Sequence, residues 1–118
     1  MKFNEQEGAS WIASNLQSMY VDKKVEAIEK STELGLTLEQ FAASQICRDL
    51  CASNTLTFES NAEDDGTLES YIFNITDLMY IRDAEKYRAV AAEKNEPFEI
   101  TVARAMARVL AKWVADRS

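Results

Sequence analysis

Residues that break helices are scarce in this chain. Only three glycines and one proline occur among its 118 residues. Because glycine and proline most often interrupt regular structure, such a composition favours long helices over a loop-rich or all-β architecture. The length corresponds to a single globular domain, residues 1–118, that can bury a core without a disulfide or a metal. The sequence shows no linker of low complexity and no evident internal repeat.

Helical spacing of apolar residues predicts three helices in the first half of the chain. Asn4 is placed to cap the first helix and Asp22 the second, while Thr37 caps the third with Gln40 as its capping-box partner. Gly35 is suited to end the second helix, because glycine accepts the left-handed conformation found there. The residues expected on the inner edge of the second helix are Val25, Ile28 and Leu34.

The middle of the chain has the alternation of a β-hairpin. Residues 55–60 alternate around Leu56 and Phe58, and residues 68–76 are rich in aromatic and β-branched side chains, which predicts two strands. Residues 68–79 also fit helical spacing, so this segment is strand or helix. A fourth helix follows to about residue 94, and a fifth starts at Pro97. The predicted fold is α+β, predominantly α: three N-terminal helices, a β-hairpin and two C-terminal helices.

The fifth helix has the strongest period in the sequence. Its apolar stripe consists of Phe98, Val102, Ala105, Met106, Val109, Leu110, Trp113 and Val114. Basic residues line a neighbouring side, namely Arg104, Arg108 and Lys112. Small residues recur every four positions at Ala103, Ala107 and Ala111, a pattern that permits close helix approach within the fold or across a possible homodimer.

An acidic stretch over residues 60–70 is the predicted partner-binding site. Asp65-Gly66 is a dipeptide typical of hairpin turns, so we expect an acidic loop tip here. The predicted partner-binding acids are Glu63, Asp64, Asp65 and Glu69. A calcium loop over 61–72 is a weaker interpretation, because its twelfth position, which should hold a bidentate glutamate, is Ile72. We therefore predict no metal at this stretch.

The residue types needed for most enzyme chemistry are missing. The chain contains no histidine, the commonest general base, and no glycine-rich phosphate loop. Cys47 and Cys51 are weak evidence for zinc and poorly placed to bridge each other, so we expect buried, reduced thiols. We predict no catalytic residue, no cofactor and no enzyme activity. The N-terminus lacks the apolar region of a signal peptide and no run is long enough for a membrane span, so a cytoplasmic location is expected.

The charge is acidic and unevenly distributed. The net charge is −7, with five bases and fourteen acids in residues 1–81 and eight bases and six acids in residues 82–118. This balance disfavours nucleic acid and favours a protein partner with a basic surface. We predict a small protein-binding module: an inhibitor, an immunity-type protein or an adaptor. Two alternatives are a helix-turn-helix regulator using residues 25–50, whose second helix is poor in bases, and a structural subunit of a larger assembly.

Overall fold

The computed structural model describes residues 1–58 and 65–117, and most of this part is helical. Its first half contains β1 (Lys2–Phe3), α1 (Glu5–Gln17), α2 (Lys24–Glu33), α3 (Leu38–Ala52) and β2 (Leu56–Thr57). Its second half contains α4 (Asp65–Asp77), α5 (Ala84–Lys94) and α6 (Phe98–Asp116). β1 and β2 form a small antiparallel sheet. The structure thus agrees with a predominantly helical α+β fold.

In residues 1–58 and 65–117, a π-helical turn occurs once in each half of the chain. These turns span Ser18–Asp22, between α1 and α2, and Leu78–Arg82, between α4 and α5. In each turn an amide binds the carbonyl five residues earlier at 2.7 Å, from Lys23 to Ser18 and from Asp83 to Leu78. Since π-helical turns are rare and mostly single, two at equivalent positions indicate that the halves share one architecture.

The two halves are an internal repeat in which residue n corresponds to residue n + 60. Helix α2 is followed by Gly35 with a φ of 71°, and α5 is followed by Asn95 with a φ of 54°. Both positions need a left-handed backbone, which glycine and asparagine tolerate best. Identical pairs include Ile12 and Ile72, Met19 and Met79, Tyr20 and Tyr80, Glu39 and Glu99, and Leu50 and Leu110. The sequence-based view that the chain has no repeat is therefore wrong.

Each half completes the core of the other half. Helix α1 packs most extensively against α6, and α3 packs most extensively against α4. Because α4 and α6 are the counterparts of α1 and α3, the two contacts are equivalent under an approximate two-fold rotation. The principal helix contacts thus cross between the halves, and the two repeats form one intertwined body.

Tyr20 and Tyr80 meet where the two repeats come together. Their rings stack with centroids 3.9 Å apart and planes inclined by 19°. The Tyr20 hydroxyl donates a 2.9 Å hydrogen bond to Oε2 of Glu39. The Tyr80 hydroxyl lies beside Glu99 but makes no hydrogen bond of normal geometry within the described part of the chain. Burial, reinforced by the nearby glutamate, raises the pKa of each hydroxyl above its ordinary value.

The predicted β-hairpin is wrong. Strand β2 pairs with β1 at the N-terminus, and residues 68–77 belong to α4. Leu68, Ile72 and Ile75 are buried at a spacing of four and three residues, which is one face of a helix. Packing of this face against α3 overrides the strand propensity of the aromatic and β-branched residues around it. Within the described residues, each half therefore contributes three α-helices.

Helix α6 carries the apolar stripe that the sequence predicts. Six of its members are buried, namely Phe98, Val102, Met106, Leu110, Trp113 and Val114. The Trp113 ring stacks on Tyr71 with centroids 5.3 Å apart, and the Arg117 guanidinium lies 3.8 Å from its centroid. Ala103 and Ala107 are buried as well, so these two small residues serve packing within the fold.

Candidate docking face

Helix α2 turns its larger apolar side chains toward solvent. The sequence predicts Val25, Ile28 and Leu34 on its inner edge, but their exposed fractions are 70%, 43% and 56%. The buried residues of α2 are instead Ala27 and Ser31. Small side chains allow the helix to approach the body closely, and Ser31 satisfies its hydroxyl by donating to the Ile28 carbonyl at 2.9 Å. The inner-edge prediction is therefore wrong.

Three larger apolar residues of this segment are exposed. Val25 and Ile28 lie three residues apart on one face of α2, and Val21 precedes them across Lys23, whose backbone is not helical. Val21 is 56% exposed and belongs to the π-helical turn that leads into α2. We call these three residues the apolar stripe. Leu34 is exposed at the end of α2 and is not part of it.

A line of carboxylates runs beside the apolar stripe. We call Asp22, Glu26, Glu29 and Glu33 the acidic row, and all four are exposed. Glu26, Glu29 and Glu33 follow one side of α2 at a spacing of three and four residues, and Asp22 precedes the helix. Three exposed lysines, Lys23, Lys24 and Lys30, lie among these acids along the chain. Within the part of the chain that the structure describes, no ion pair involves any of these four carboxylates. Their charges therefore face water.

Helix α5 provides a comparison within the same molecule. The counterparts of Val25 and Ile28 are Glu85 and Arg88, and both are exposed. Arg88 lies 4.3 Å over the ring of Phe98, so the fold accommodates a cation at this position. Val21 corresponds to Ile81, which is also apolar and exposed, and so does not distinguish the repeats. The architecture therefore does not require apolar residues at positions 25 and 28.

The acidic row is likewise particular to α2. The counterparts of Asp22, Glu26, Glu29 and Glu33 are Arg82, Lys86, Ala89 and Glu93. Two of the four positions carry the opposite charge in α5, and a third is neutral. Since α5 forms the same helix after the same π-helical turn, the folding of α2 does not depend on a continuous row of acids.

The structure does not assemble the predicted acidic tip as a hairpin turn. Glu63 and Asp64 lie outside the described residues. Asp65 is the first residue of α4 and Gly66 follows within that helix, so the predicted Asp65-Gly66 turn is wrong. Glu69 is exposed on α4, where it lines a shallow hollow with Gln40 and Phe73. A role for these acids in partner binding remains a prediction.

The described residues also place the candidate metal ligands. Cys47 is buried and Cys51 half-buried on α3, and no disulfide joins them. Ile72, which would occupy the twelfth position of a calcium loop, is fully buried in the core. In residues 1–58 and 65–117 no group of three or more histidine, cysteine or acidic side chains could hold a metal ion.

Helix α3 is poorly presented for reading a DNA groove. It packs against both α1 and α4. The Glu39 carboxylate accepts the Tyr20 hydroxyl, and Oδ2 of Asp49 accepts a 2.8 Å hydrogen bond from Asn15. Only Arg48 supplies an exposed base on this helix. Two of the polar side chains of this helix, Glu39 and Asp49, thus make hydrogen bonds within the fold.

Comparisons with family models, with curated proteins and with solved structures found no match to this chain. None of the helices in the described ranges combines the length and hydropathy needed to cross a membrane. The apolar stripe and the acidic row are therefore interpreted from the chain's own chemistry. Together with Lys23, Lys24 and Lys30, they give α2 and the turn before it an exposed surface of apolar and mixed charged side chains.

Proposed function

We propose that this protein acts by binding another protein and that α2 is its docking face. The observation that carries the proposal is the contrast between equivalent helices. Positions 25 and 28 are apolar and solvent-exposed in α2, whereas α5 builds the same structure with Glu85 and Arg88. Exposed valine and isoleucine that the fold does not need are accounted for when a partner covers them.

The net charge of −7 favours a protein partner that carries a basic surface, and the face itself exposes four acids and three lysines over residues 22–33. Apolar residues supply contact area at the centre of an interface, while charges at its edge contribute orientation and association rate. The apolar stripe is narrow, so we expect a transient interface such as an inhibitor or adaptor uses. This proposal keeps the non-catalytic role expected from the sequence and moves the main contact surface from the acidic tip to α2.

The test replaces the distinguishing residues by those of the other repeat. A Val25→Glu, Ile28→Arg variant carries the α5 residues and should keep its helix content and melting temperature. Wild type and variant are each used to capture binding partners from native lysate. A protein that wild type captures and the variant does not is then purified, and its binding to both is measured by calorimetry. Loss of two central apolar contacts should weaken its binding at least about tenfold.

The matched control acts on the equivalent helix. Glu85→Gln, Arg88→Gln changes the same two positions in α5 and should leave the affinity of that purified protein unchanged. A partner that binds wild type and the Val25→Glu, Ile28→Arg variant with equal affinity would show that α2 is not the docking face.

A further inference from the structure

We propose that a small organic acid binds in a cleft beneath α2. The cleft lies between the π-helical turn Ser18–Asp22 and the facing sides of α2 and α3, and its volume is about 390 Å³. This size falls within the roughly 300–1,000 Å³ of typical small-molecule sites. Val25 and Ile28 do not line this space, so the inference does not rest on the docking face. We call it the α2–α3 cleft, and its lining includes Ser18, Ala27 and Gln45.

The second repeat shows that the architecture does not require an open cleft at this place. Four polar or small residues of the cleft have bulky apolar or aromatic counterparts: Asn15, Ser18, Ala27 and Lys30 correspond to Ile75, Leu78, Tyr87 and Val90. Ile75 is buried, and Tyr87 packs against the main core. The hollow that remains beside Tyr87 and Val90 has a volume of about 150 Å³. Bulky side chains at the equivalent positions thus reduce the open space to less than half.

An open cleft gives up apolar contact that the fold could make. Burial of apolar surface stabilises a folded chain, and the second repeat obtains it with Leu78 and Tyr87. The first repeat forgoes it at Ser18 and Ala27, although the same helices surround the site. A bound molecule that fills the cleft accounts for this difference between the repeats.

The charged groups that line the cleft favour an anion. Lys23 and Lys30 contribute two ammonium groups and Glu26 one carboxylate, so the lining is positive by one charge. In the part of the chain that the structure describes, none of the three takes part in an ion pair. Their counterparts in the second repeat, Asp83, Val90 and Lys86, carry no net charge. The protein as a whole has a net charge of −7, so an excess of positive charge in a concave site marks a local preference for a negative group.

The uncharged part of the lining favours an apolar body with a small polar group. Met19 and Ala27 are buried and Phe41 is half-buried, and all three form part of the wall. Ser18 and Gln45 are half-buried, and their side chains make no hydrogen bond to any described residue. A hydroxyl and an amide can each donate to and accept from a ligand. A molecule with one carboxylate or similar acid group on an apolar body is complementary to this lining.

The direct test is a titration with two fluorescent probes that share one skeleton. Anilinonaphthalene sulfonate has an aromatic body with one anionic group, whereas N-phenylnaphthylamine has the same body without the anion. Wild type should enhance the fluorescence of the sulfonate saturably, with one probe bound per chain. The neutral probe should bind at least about threefold more weakly, because it lacks the charge that Lys23 and Lys30 attract.

Amide chemical shifts then locate the bound sulfonate. In two-dimensional nitrogen–proton NMR spectra, the probe should shift the amide signals of Ser18, Ala27 and Gln45. The signals of their counterparts in the second repeat should shift little and serve as the internal control; these are Leu78, Tyr87 and Ala105.

Two variants test the space and the charge of the cleft separately. Ser18→Leu, Ala27→Tyr introduces the residues of the second repeat, and it should keep its helix content and melting temperature but lose saturable binding of the sulfonate. Lys23→Met, Lys30→Met keeps the apolar part of both side chains and should weaken binding at least about threefold. The matched control, Lys24→Met, Lys112→Met, removes two exposed lysines outside the cleft. It should leave the dissociation constant within about twofold of the wild-type value.

The inference is overturned if wild type shows no saturable binding of the sulfonate, or if a folded Ser18→Leu, Ala27→Tyr variant binds it as tightly as wild type. Equal affinity for the two probes would refute the preference for an anion. Equal loss with the Lys24→Met, Lys112→Met control would show generic attraction to positive charge, against the inference. If Ser18→Leu, Ala27→Tyr does not fold, the lysine variants and the chemical shifts decide, and unshifted amides at Ser18, Ala27 and Gln45 would refute the cleft.

Discussion

The stacked tyrosines at the junction of the repeats give a prediction with opposite signs for equivalent residues. Tyr20 and Tyr80 keep their rings in Phe variants, so the stack with its 3.9 Å centroid separation should persist. What differs is the hydroxyl: Tyr20 donates to Glu39 at 2.9 Å, whereas the buried Tyr80 hydroxyl lies beside Glu99 but makes no hydrogen bond of normal geometry within the described residues. Tyr20→Phe should therefore destabilise the protein, and Tyr80→Phe should stabilise it.

The magnitudes follow from the two environments. A hydrogen bond to a charged group contributes about 1.5–3 kcal/mol, and the half-buried Glu39 regains some water, so we expect Tyr20→Phe to cost about 1.5 kcal/mol. Burying a hydroxyl without a partner costs about 1–3 kcal/mol, so removing it from Tyr80 should gain about 1 kcal/mol. The variants should then differ by about 2.5 kcal/mol, a large part of the roughly 5–15 kcal/mol available to a domain.

Urea denaturation followed by circular dichroism measures this difference. With a slope of about 1–3 kcal/mol per molar urea, the two midpoints should lie roughly 1 M apart on opposite sides of the wild-type midpoint. If Tyr80→Phe lowers the midpoint as much as Tyr20→Phe does, the Tyr80 hydroxyl has a stabilising partner and the reasoning is refuted. Unequal slopes would instead indicate a change in the denatured state.

Three further predictions concern the core. Because the folded state raises the pKa of Tyr20 and Tyr80 above 10.0, their contribution is complete below about pH 10 and is lost as the unfolded chain releases its protons above it. The free energy of unfolding from urea denaturation should fall by about 1.4 kcal/mol in total for each tyrosine between about pH 9 and about pH 11, nearly all of it above about pH 10, and Tyr20→Phe, Tyr80→Phe should remove that fall. Gly8→Ala should cost about 1–3 kcal/mol, because the added Cβ would overlap Cζ of Phe3. In a Phe3→Ala background, where that ring is gone, the same change should be neutral or stabilising in melting experiments. Trp113→Ala should cost about 3–5 kcal/mol, since the ring is only 6% exposed, whereas Arg108→Ala should stay within about 0.5 kcal/mol; comparable losses for both would contradict the packing of α6.

Features governed by neighbouring residues could be predicted from the sequence. The Thr37–Gln40 capping box forms with both of its bonds, at 3.1 and 2.8 Å, and Gly35 takes the left-handed conformation expected after α2. The stripe of α6 is buried because eight apolar residues at one period leave a single face to cover. These signals depend on contacts within one or two helical turns.

Features governed by distant contacts could not be predicted in this way. Strand propensity around Tyr71 and Phe73 favoured a hairpin, but α3 supplies a surface on which a helix buries Leu68 and Ile72. Apolar spacing predicts the wrong buried face for α2, because spacing shows which residues share a face and not whether that face meets the core. The candidate docking face was missed for this reason.

The repeat did leave a signal in the sequence. Met-Tyr-Val at residues 19–21 recurs as Met-Tyr-Ile at residues 79–81. Around this tripeptide the two halves share few identical residues. At most positions the fold requires only a residue of the same type: a small one, an apolar one, or one that tolerates a left-handed backbone. Alignment of the two halves at this tripeptide pairs residues 68–77 with the predicted first helix, and so predicts that residues 68–77 are helical.

A duplicated fold separates the demands of folding from those of function. A residue that the architecture requires should keep its character in both repeats, as Met19 and Met79 do in the core and Glu39 and Glu99 do beside the stacked tyrosines. Where a position is apolar in one repeat and charged in the other, and the helix is the same in both, folding does not explain the apolar residue. We infer that such a residue serves a function other than folding. Val25 and its counterpart Glu85 meet this condition most clearly, because both are exposed on the same helix at the same register. If α2 binds a partner while α5 remains solvated, each residue exchanged from α5 into α2 should reduce binding and leave folding intact, and the reverse exchange, Glu85→Val with Arg88→Ile, should begin to create a second docking face.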